Sequence, residues 1–284
     1  MKIGLECIPC FVRQAFEAGL LVAEKEEVRE LILREVLSNL SGQSFDKSPP
    51  SVGREVHGII RRVSGDNDPY LEIKRKSNKL IEEQIPVLKE CIRNSKDSFE
   101  TSVRLSIAGN IIDYGHGEHI TEEMINNTIS QSLKQPIDKK NIKKLKEEIK
   151  KASDILFLGD NAGEIFFDRL FLEELRGYPV TFAVRGGPII NDALKEDAVA
   201  AGIDKLVPLI DNGYDAPGTI LEECSVEFKK RFAKADLIIA KGQGNYETLS
   251  STDKKIFFLL KAKCPVIARD IGCRKGDMVI SQKN

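Results

Sequence analysis

Apolar residues recur three or four positions apart over most of the first 145 residues, then switch after Asp154 to short unbroken runs, which predicts helices first and strands later. The spacing of Phe11, Ala15, Ala18, Leu21 and Val22, then of Val28, Leu31, Ile32, Val36 and Leu37, predicts two helices broken near Glu24 to Glu27. Ser48-Pro49-Pro50 interrupts any helix, and Ser51 is placed to cap the next, whose inward face takes Val52, Val56, Ile59 and Ile60. After a turn at Gly65 to Pro69, Tyr70 to Ile92 predicts one long helix with a kink at Pro86. Phe99 to Ile112 predicts another, with Leu105, Ala108 and Ile112 inward. Lys139 to Lys151 predicts a charged helix whose narrow apolar stripe is Ile142, Leu145 and Ile149.

Beyond Asp154 the runs Ile155 to Leu158, Val180 to Val184, Leu206-Val207, Leu237 to Ala240, Ile256 to Leu260 and Val266 to Ala268 predict strands. Helix-like stretches at Glu164 to Leu175, Ile190 to Ala201 and Val226 to Ala233 separate several of them. Strands buried on both faces and joined through helices imply a mostly parallel sheet with right-handed crossovers. The expected architecture is therefore α/β, with an all-helical domain over residues 1–145 and a Rossmann-like domain over 146–284.

Composition narrows the function. The 43 basic side chains nearly match the 44 acidic ones, so no general attraction to nucleic acid or to an anionic membrane is built in. The opening MKIGLECIPC meets charge at Glu6 and Arg13, unlike a signal peptide or a membrane helix, and the expected compartment is the cytoplasm. Six cysteines, at 7, 10, 91, 224, 264 and 273, are too sparse for a disulfide scaffold and are read as reduced.

In an open parallel sheet, ligands collect beyond the carboxyl ends of the strands. Three segments there stand out: Gly159-Asp160-Asn161-Ala162-Gly163-Glu164, Arg185 to Asp192, and Lys241-Gly242-Gln243-Gly244-Asn245-Tyr246-Glu247. Asp160 and Asn161 offer hard oxygen ligands, and Asp192 can bring a second carboxylate to the same crevice. Two carboxylates, an amide and waters suit a divalent ion such as Mg²⁺, Mn²⁺, Co²⁺ or Ni²⁺. Lys241 adds a cation, and its glycines lighten a backbone whose N–H groups suit phosphate. Each motif has a plainer explanation, since Asp-Asn often caps a helix and Gly-Gly-Pro is usually a turn; their joint placement on one sheet carries the functional reading.

At these residues the sequence resembles the family once called domain of unknown function 89, now described as metal-dependent damage-control phosphatases, with relatives named for an acidic residue methyltransferase. The resemblance covers essentially the whole chain. It rests on Cys7-Ile8-Pro9-Cys10, Gly109 to Gly115, the Asp160-Asn161 loop, Arg185 to Asp192 and Lys241 to Glu247. It implies a helical domain packed on a Rossmann-like one, a metal held by Asp160, Asn161 and Asp192, and substrate phosphate bound by Lys241. Asn110 and Asp113 lie in a family motif assigned to the cleft; Gly163, Glu164, Arg185, Gly242 and Asn245 complete the expected substrate contacts. The implied substrates are small phosphorylated metabolites, sugar phosphates or phosphopantetheine-like compounds.

Cys7 and Cys10 form only half of a four-cysteine zinc site, and His57, His116 and His119 complete one only if folding gathers them. Two other classes compete with the phosphatase. A methyltransferase or dinucleotide enzyme needs a longer Gly-rich loop after the first strand than Gly-Asp-Asn-Ala-Gly. A noncatalytic metal or metabolite binder uses the same residue types as the enzyme.

Overall fold

A computed structural model describes residues 1–109 and 122–283, the side chains of 122–126 excepted. Helices α1 (Cys7–Val22), α2 (Glu26–Ser41) and α3 (Pro49–Ser64) break where the periodicity lapses and enclose a core of Ala15, Ile32, Val36, Val52, Val56 and Ile60. The cap of α3 is Ser48 rather than Ser51, because Ser51 N–H donates to Ser48 Oγ at 3.4 Å. Pro49 and Pro50 therefore start the helix instead of blocking it, at positions whose missing N–H has no intrahelical acceptor to lose.

The long helix expected over Tyr70 to Ile92 is two, α4 (Leu71–Glu82) and α5 (Ile85–Arg93). Pro86 lies in the first turn of α5, where its ring meets no preceding helical carbonyl, so the chain restarts the helix rather than kinking it. α6 (Ser98–Gly109) is buried along nearly all its length, with Leu105 and Ala108 inward; Ile112 lies outside the described residues. α7 (Glu122–Lys134) precedes α8 (Lys139–Lys151), whose N-cap Asp138 accepts from Lys140 N–H at 2.9 Å and whose stripe Ile142, Leu145 and Ile149 is buried as expected.

The sheet has the order β3-β2-β1-β4-β5-β6. Strands β1 (Ile155–Leu158), β2 (Val180–Val184), β3 (Leu209–Asp211), β4 (Leu237–Lys241) and β5 (Ile256–Lys261) are parallel, and β6 (Met278–Lys283) runs antiparallel to β5. Helices α9 (Glu164–Glu174), α10 (Lys195–Ala200), α11 (Val226–Lys234), α12 (Gly242–Leu249) and α13 (Pro265–Ile271) cover it. Alternate residues feed opposite layers: Ile155 and Phe157 join Ile81, Leu88, Phe99, Leu145 and Phe171 on one side, and Leu156 and Leu158 join Phe228, Tyr246 and Ile267 on the other.

Three sequence expectations shift. The strand placed at Leu206-Val207 begins instead at Leu209, past Pro208. Val266 to Ala268 is helical, since Pro265 stands at the first position of α13 and a three-residue apolar run has no period to tell strand from helix. The helix expected from Ile190 starts only at Lys195, because residues 190–193 pair with another loop. No helix among the described residues is long and apolar enough to cross a membrane.

His57 is buried in α3 with Nε2 unpartnered, edge-on to the Tyr70 ring at 5.8 Å. Burial, and next the Arg61 charge, push its pKa down to about 3. The unfolded chain therefore takes up a proton near pH 6.5 that the folded chain refuses. Stability from this residue is complete above that pH and is lost as pH falls toward 3, about 2–3 kcal/mol by pH 4.5. Between pH 7 and 4.5, the urea-unfolding free energy of the parent should drop by that much more than that of His57→Gln; equal drops would refute the assignment.

Candidate active site

Strand order reverses between β1 and β4, and the crevice beyond their carboxyl ends is where a doubly wound sheet binds ligands. β1 leaves its plane at Gly159, where a Cβ would stand 2.7 Å from the Phe182 ring. Asp160 and Asn161 follow, and Gly163, at φ 75°, turns the chain into α9. This loop is stitched to the one after β2: Ala193 N–H donates to Asp160 O at 2.8 Å and Ala162 N–H to Asn191 O at 2.9 Å, so Asn161 and Asp192 face each other in an isolated antiparallel bridge. Ile190, the one non-glycine at positive φ (44°) among the described residues, makes the turn that delivers Asp192 there. From the helical half, Asn78 of α4 braces the loop, accepting from Gly163 N–H and donating to Asp197, both at 2.7 Å.

Four buried carboxylates, Asp160, Glu164, Asp168 and Asp192, meet two buried cations, Arg185 and Lys241. Arg185 donates to Asp192 Oδ2 at 2.6 Å, to Asp160 Oδ1 at 3.2 Å and to Asn245 Oδ1 at 3.1 Å. Asn161 Nδ2 donates to Asp160 Oδ2 and Glu164 Oε2, both at 2.9 Å, which fixes the orientation of its amide. No donor among the described residues meets Asn161 Oδ1 or Asp192 Oδ1. Burial, and next the charges of Glu164 and Asp192, push Asp160 up to about 8 against the pull of Arg185. Burial also raises Asp192, again against Arg185. Four acids gathered around these two bases, with Lys263 acting on Asp160 and Lys74 on Asp192 as well, form a carboxylate-rich pocket of the kind that suits a divalent cation.

Lys241 is placed differently from a phosphate contact. It is fully buried, and its ammonium donates to Glu164 Oε1 and Asp168 Oδ1, both at 2.6 Å, and to Ser106 O at 2.8 Å. Three hydrogens thus meet three oxygens. Burial alone would lower its pKa, but the charges of Asp168 and Glu164 outweigh that and raise it, so the ammonium stays charged. Asp168 is pushed up to about 6, by burial before all else, with Lys241 pulling the other way.

The fold brings together Asp160, Asn161, Glu164, Arg185, Asp192, Lys241, Gly242 and Asn245. Asn110 and Asp113 lie outside the described residues. Gly163 spends its N–H on Asn78, and Asn245 is fully buried, donating to Lys241 O at 2.8 Å and accepting from Thr219 Oγ1 at 2.8 Å, so both act as braces. Gly242, at φ 77°, lies so close to Asp160 that a Cβ would stand 1.9 Å from Oδ2. The amides of Gly242, Gln243 and Gly244 open α12, and none meets an acceptor elsewhere among the described residues. Sequence reasoning missed Asp168, Ser106, Asn78 and Thr219. Asp168 alone carried a signal: it falls four residues after Glu164, on the same side of a helix whose intervening residues, Ile165, Phe166 and Phe167, are all apolar.

Among the described residues no three His, Cys, Asp or Glu side chains are gathered to hold a metal, so Cys7, Cys10 and His57 form no zinc site, and His116 and His119 lie outside the described residues. Asp160, Asn161 and Asp192 offer instead two carboxylates and an amide oxygen, and no donor among the described residues meets Asn161 Oδ1 or Asp192 Oδ1.

A parallel sheet in the order 3-2-1-4-5 with a charged crevice at its reversal defines a Rossmann-like α/β protein with its site at the switch point. Residues 3–279 match the damage-control phosphatase ARMT1-like domain, and the chain belongs to that family. It is 39% identical to an uncharacterized protein of Methanocaldococcus jannaschii, over 100% of this chain and 96% of that one. Identity is 37% to a damage-control phosphatase of Archaeoglobus fulgidus, over 98% of each chain, and 36% to one of Pyrococcus horikoshii, over 98% of this chain and 97% of that one. The crystal structure of a DUF89 family protein from Pyrococcus horikoshii matches with a TM-score of 0.91 at 35% identity, covering 100% of both chains.

Proposed function

We propose that the protein is a cytoplasmic, divalent-metal-dependent phosphatase that hydrolyses small phosphomonoesters in metabolite damage control. One observation carries this reading: a cluster of four buried carboxylates, in which no donor among the described residues meets Asn161 Oδ1 or Asp192 Oδ1, stands beside first-turn amides of α12 that meet no acceptor elsewhere among the described residues. Nucleic acid and membrane have no part in it.

Asp160, Asn161 and Asp192 would hold the ion, Mg²⁺, Mn²⁺, Co²⁺ or Ni²⁺. When bound, such an ion polarises a phosphoryl oxygen and offsets charge as the ester bond breaks. Asp160, whose carboxyl burial raises to about 8, would have to give up its proton to hold such an ion. Arg185 bridges Asp160 and Asp192 and fixes their spacing. The amides of Gly242, Gln243 and Gly244 receive phosphate oxygens, a role the glycines permit by leaving the approach clear. A water oxygen attacks phosphorus in line with the leaving alkoxide, the ester bond breaks, and the alkoxide departs as the alcohol with a proton given up by the water. Lys241 holds Glu164 and Asp168 in place, and through Glu164 orients Asn161.

Phosphate release from sugar phosphates, phosphopantetheine and p-nitrophenyl phosphate, measured with each of the four metals and with EDTA, tests the reading. Release that appears with metal and vanishes with EDTA is expected. Folded protein that releases no phosphate with any metal would instead be a noncatalytic binder.

A further inference from the structure

The Cys7-Ile8-Pro9-Cys10 motif takes no part in the acid pocket and, among the described residues, gathers no metal site. The fold places it on a cavity of about 310 Å³ between α1, α3, α12 and α13, whose lining also includes Cys264. Each of these three half-buried sulfurs accepts a hydrogen bond: Cys7 Sγ from Gly4 N–H at 3.4 Å, Cys10 Sγ from Gln14 Nε2 at 3.4 Å, and Cys264 Sγ from Gln243 Nε2 at 3.6 Å.

Cys7 has the other two around it. The segment leading into α1 lies on α12 and α13: the Met1 ammonium donates to Glu247 O at 2.5 Å, a Cβ on Gly4 would stand 3.5 Å from Val266 Cγ2, and Glu6 pairs with Arg269 at 2.5 Å. Val266 is two residues past Cys264, so this packing sets Cys7 against Cys264. Electrostatics agree. Burial raises the Cys7 thiol, the Gly4 N–H pulls the other way, and the charges of Glu247, then Cys264, then Cys10 add to the rise.

Cys264 in turn touches the phosphate turn. Gln243 Nε2 is shared between Cys264 Sγ and Glu247 Oε1, at 3.6 and 3.0 Å, and Gln243 Oε1 accepts from Lys263 N–H at 3.3 Å. Gln243 is the middle one of the three residues whose amides open α12.

Resting on the phosphatase reading above, we infer that Cys7 and Cys264 form a reversible disulfide that weakens phosphate binding, made by exchange with a low-molecular-weight disulfide that enters the cavity. Cys264 loses its proton and attacks one sulfur of the small disulfide; that S–S bond breaks, one small thiolate leaves, and a mixed disulfide remains. Cys7 then loses its proton and attacks Cys264 Sγ, expelling the second small thiolate. Two electrons pass from the protein thiols to the small disulfide, and the two protons end on its two thiol products. Cys7 stands at the first position of α1 and Cys264 immediately before α13. Two element ends, rather than two helix interiors, thus close to the about 4.4–6.8 Å between Cα atoms that the bond needs. Turned toward Cys7, the Cys264 sulfur leaves Gln243, and the first turn of α12 loses that tie.

The test uses the whole chain with Mg²⁺ or Mn²⁺, reduced and then treated with hydroxyethyl disulfide. Remaining thiols are blocked and the linked peptides read by tandem mass spectrometry, which should join Cys7 to Cys264. Tm should rise by several degrees, KM for p-nitrophenyl phosphate should rise several-fold with a smaller change in kcat, and dithiothreitol should reverse all of it. Cys10→Ser should keep the response, and Cys7→Ser and Cys264→Ser should each abolish it. A bond between Cys7 and Cys10 instead, no bond, or a Cys7–Cys264 bond that leaves KM unchanged overturns the inference. Mapping and melting need no turnover, so a Cys7–Cys264 bond in a chain that releases no phosphate with any metal keeps the disulfide and removes the phosphatase reading.

Discussion

Asp160→Asn should release phosphate on the order of a thousandfold more slowly than the parent and yet melt at the same temperature or higher. The activity loss follows from removing one of the two carboxylates proposed to hold the cation, while the shape of the side chain is kept. The stability gain follows from the same burial that makes the site useful. A carboxyl raised to about 8 by desolvation and by Glu164 and Asp192 opposes folding at every pH above its unfolded value near 4, and a neutral amide does not. The loss of function accompanied by a gain in Tm is the mark of a residue kept for chemistry rather than for the fold. Calorimetry of the metal-free proteins beside a phosphate assay checks both halves, and a variant that keeps parent activity would remove Asp160 from the mechanism.

Lys241→Met should do the opposite, costing about 3–5 kcal/mol, because it strips the shared cation from two buried carboxylates. For a chain of this size that corresponds to a fall in Tm of roughly 10 °C. Activity at a temperature where the variant is folded should fall through kcat, since Glu164 loses the partner that orients it toward Asn161. Adding Asp168→Leu to Lys241→Met should restore part of the stability by removing one orphaned charge. A lysine that met substrate phosphate would behave otherwise, raising KM with little change in Tm, so paired melting and kinetic curves separate the two roles.

Much of the architecture was legible because burial on both faces leaves an unmistakable run, as in Ile155 to Leu158, and because α8 carries a clean stripe at helical spacing. The failures share a cause, which is that local pattern says nothing of what a segment will pair with. Residues 190–193 have the composition of a helix start but surrender their backbone groups to the Asp160 loop, and three apolar residues behind Pro265 fit either kind of element. The site was legible as a set of strand ends. Its internal wiring was not: that Lys241 turns inward to Asp168, and that Asn245 serves Arg185 rather than a ligand, depends on depth within the fold, which residue type does not encode.

The layer in which Ile81, Leu88, Phe99 and Leu145 cover Phe157, Phe171 and Phe182 bears on how this protein can be divided. A fragment starting at residue 146 would keep every strand and still present that aromatic floor to water, inviting self-association. It would also lose Asn78, and with it the clasp on Gly163. The active chemistry therefore cannot be lifted onto another protein as a cassette; whatever inherits this site must inherit its helical cover as well.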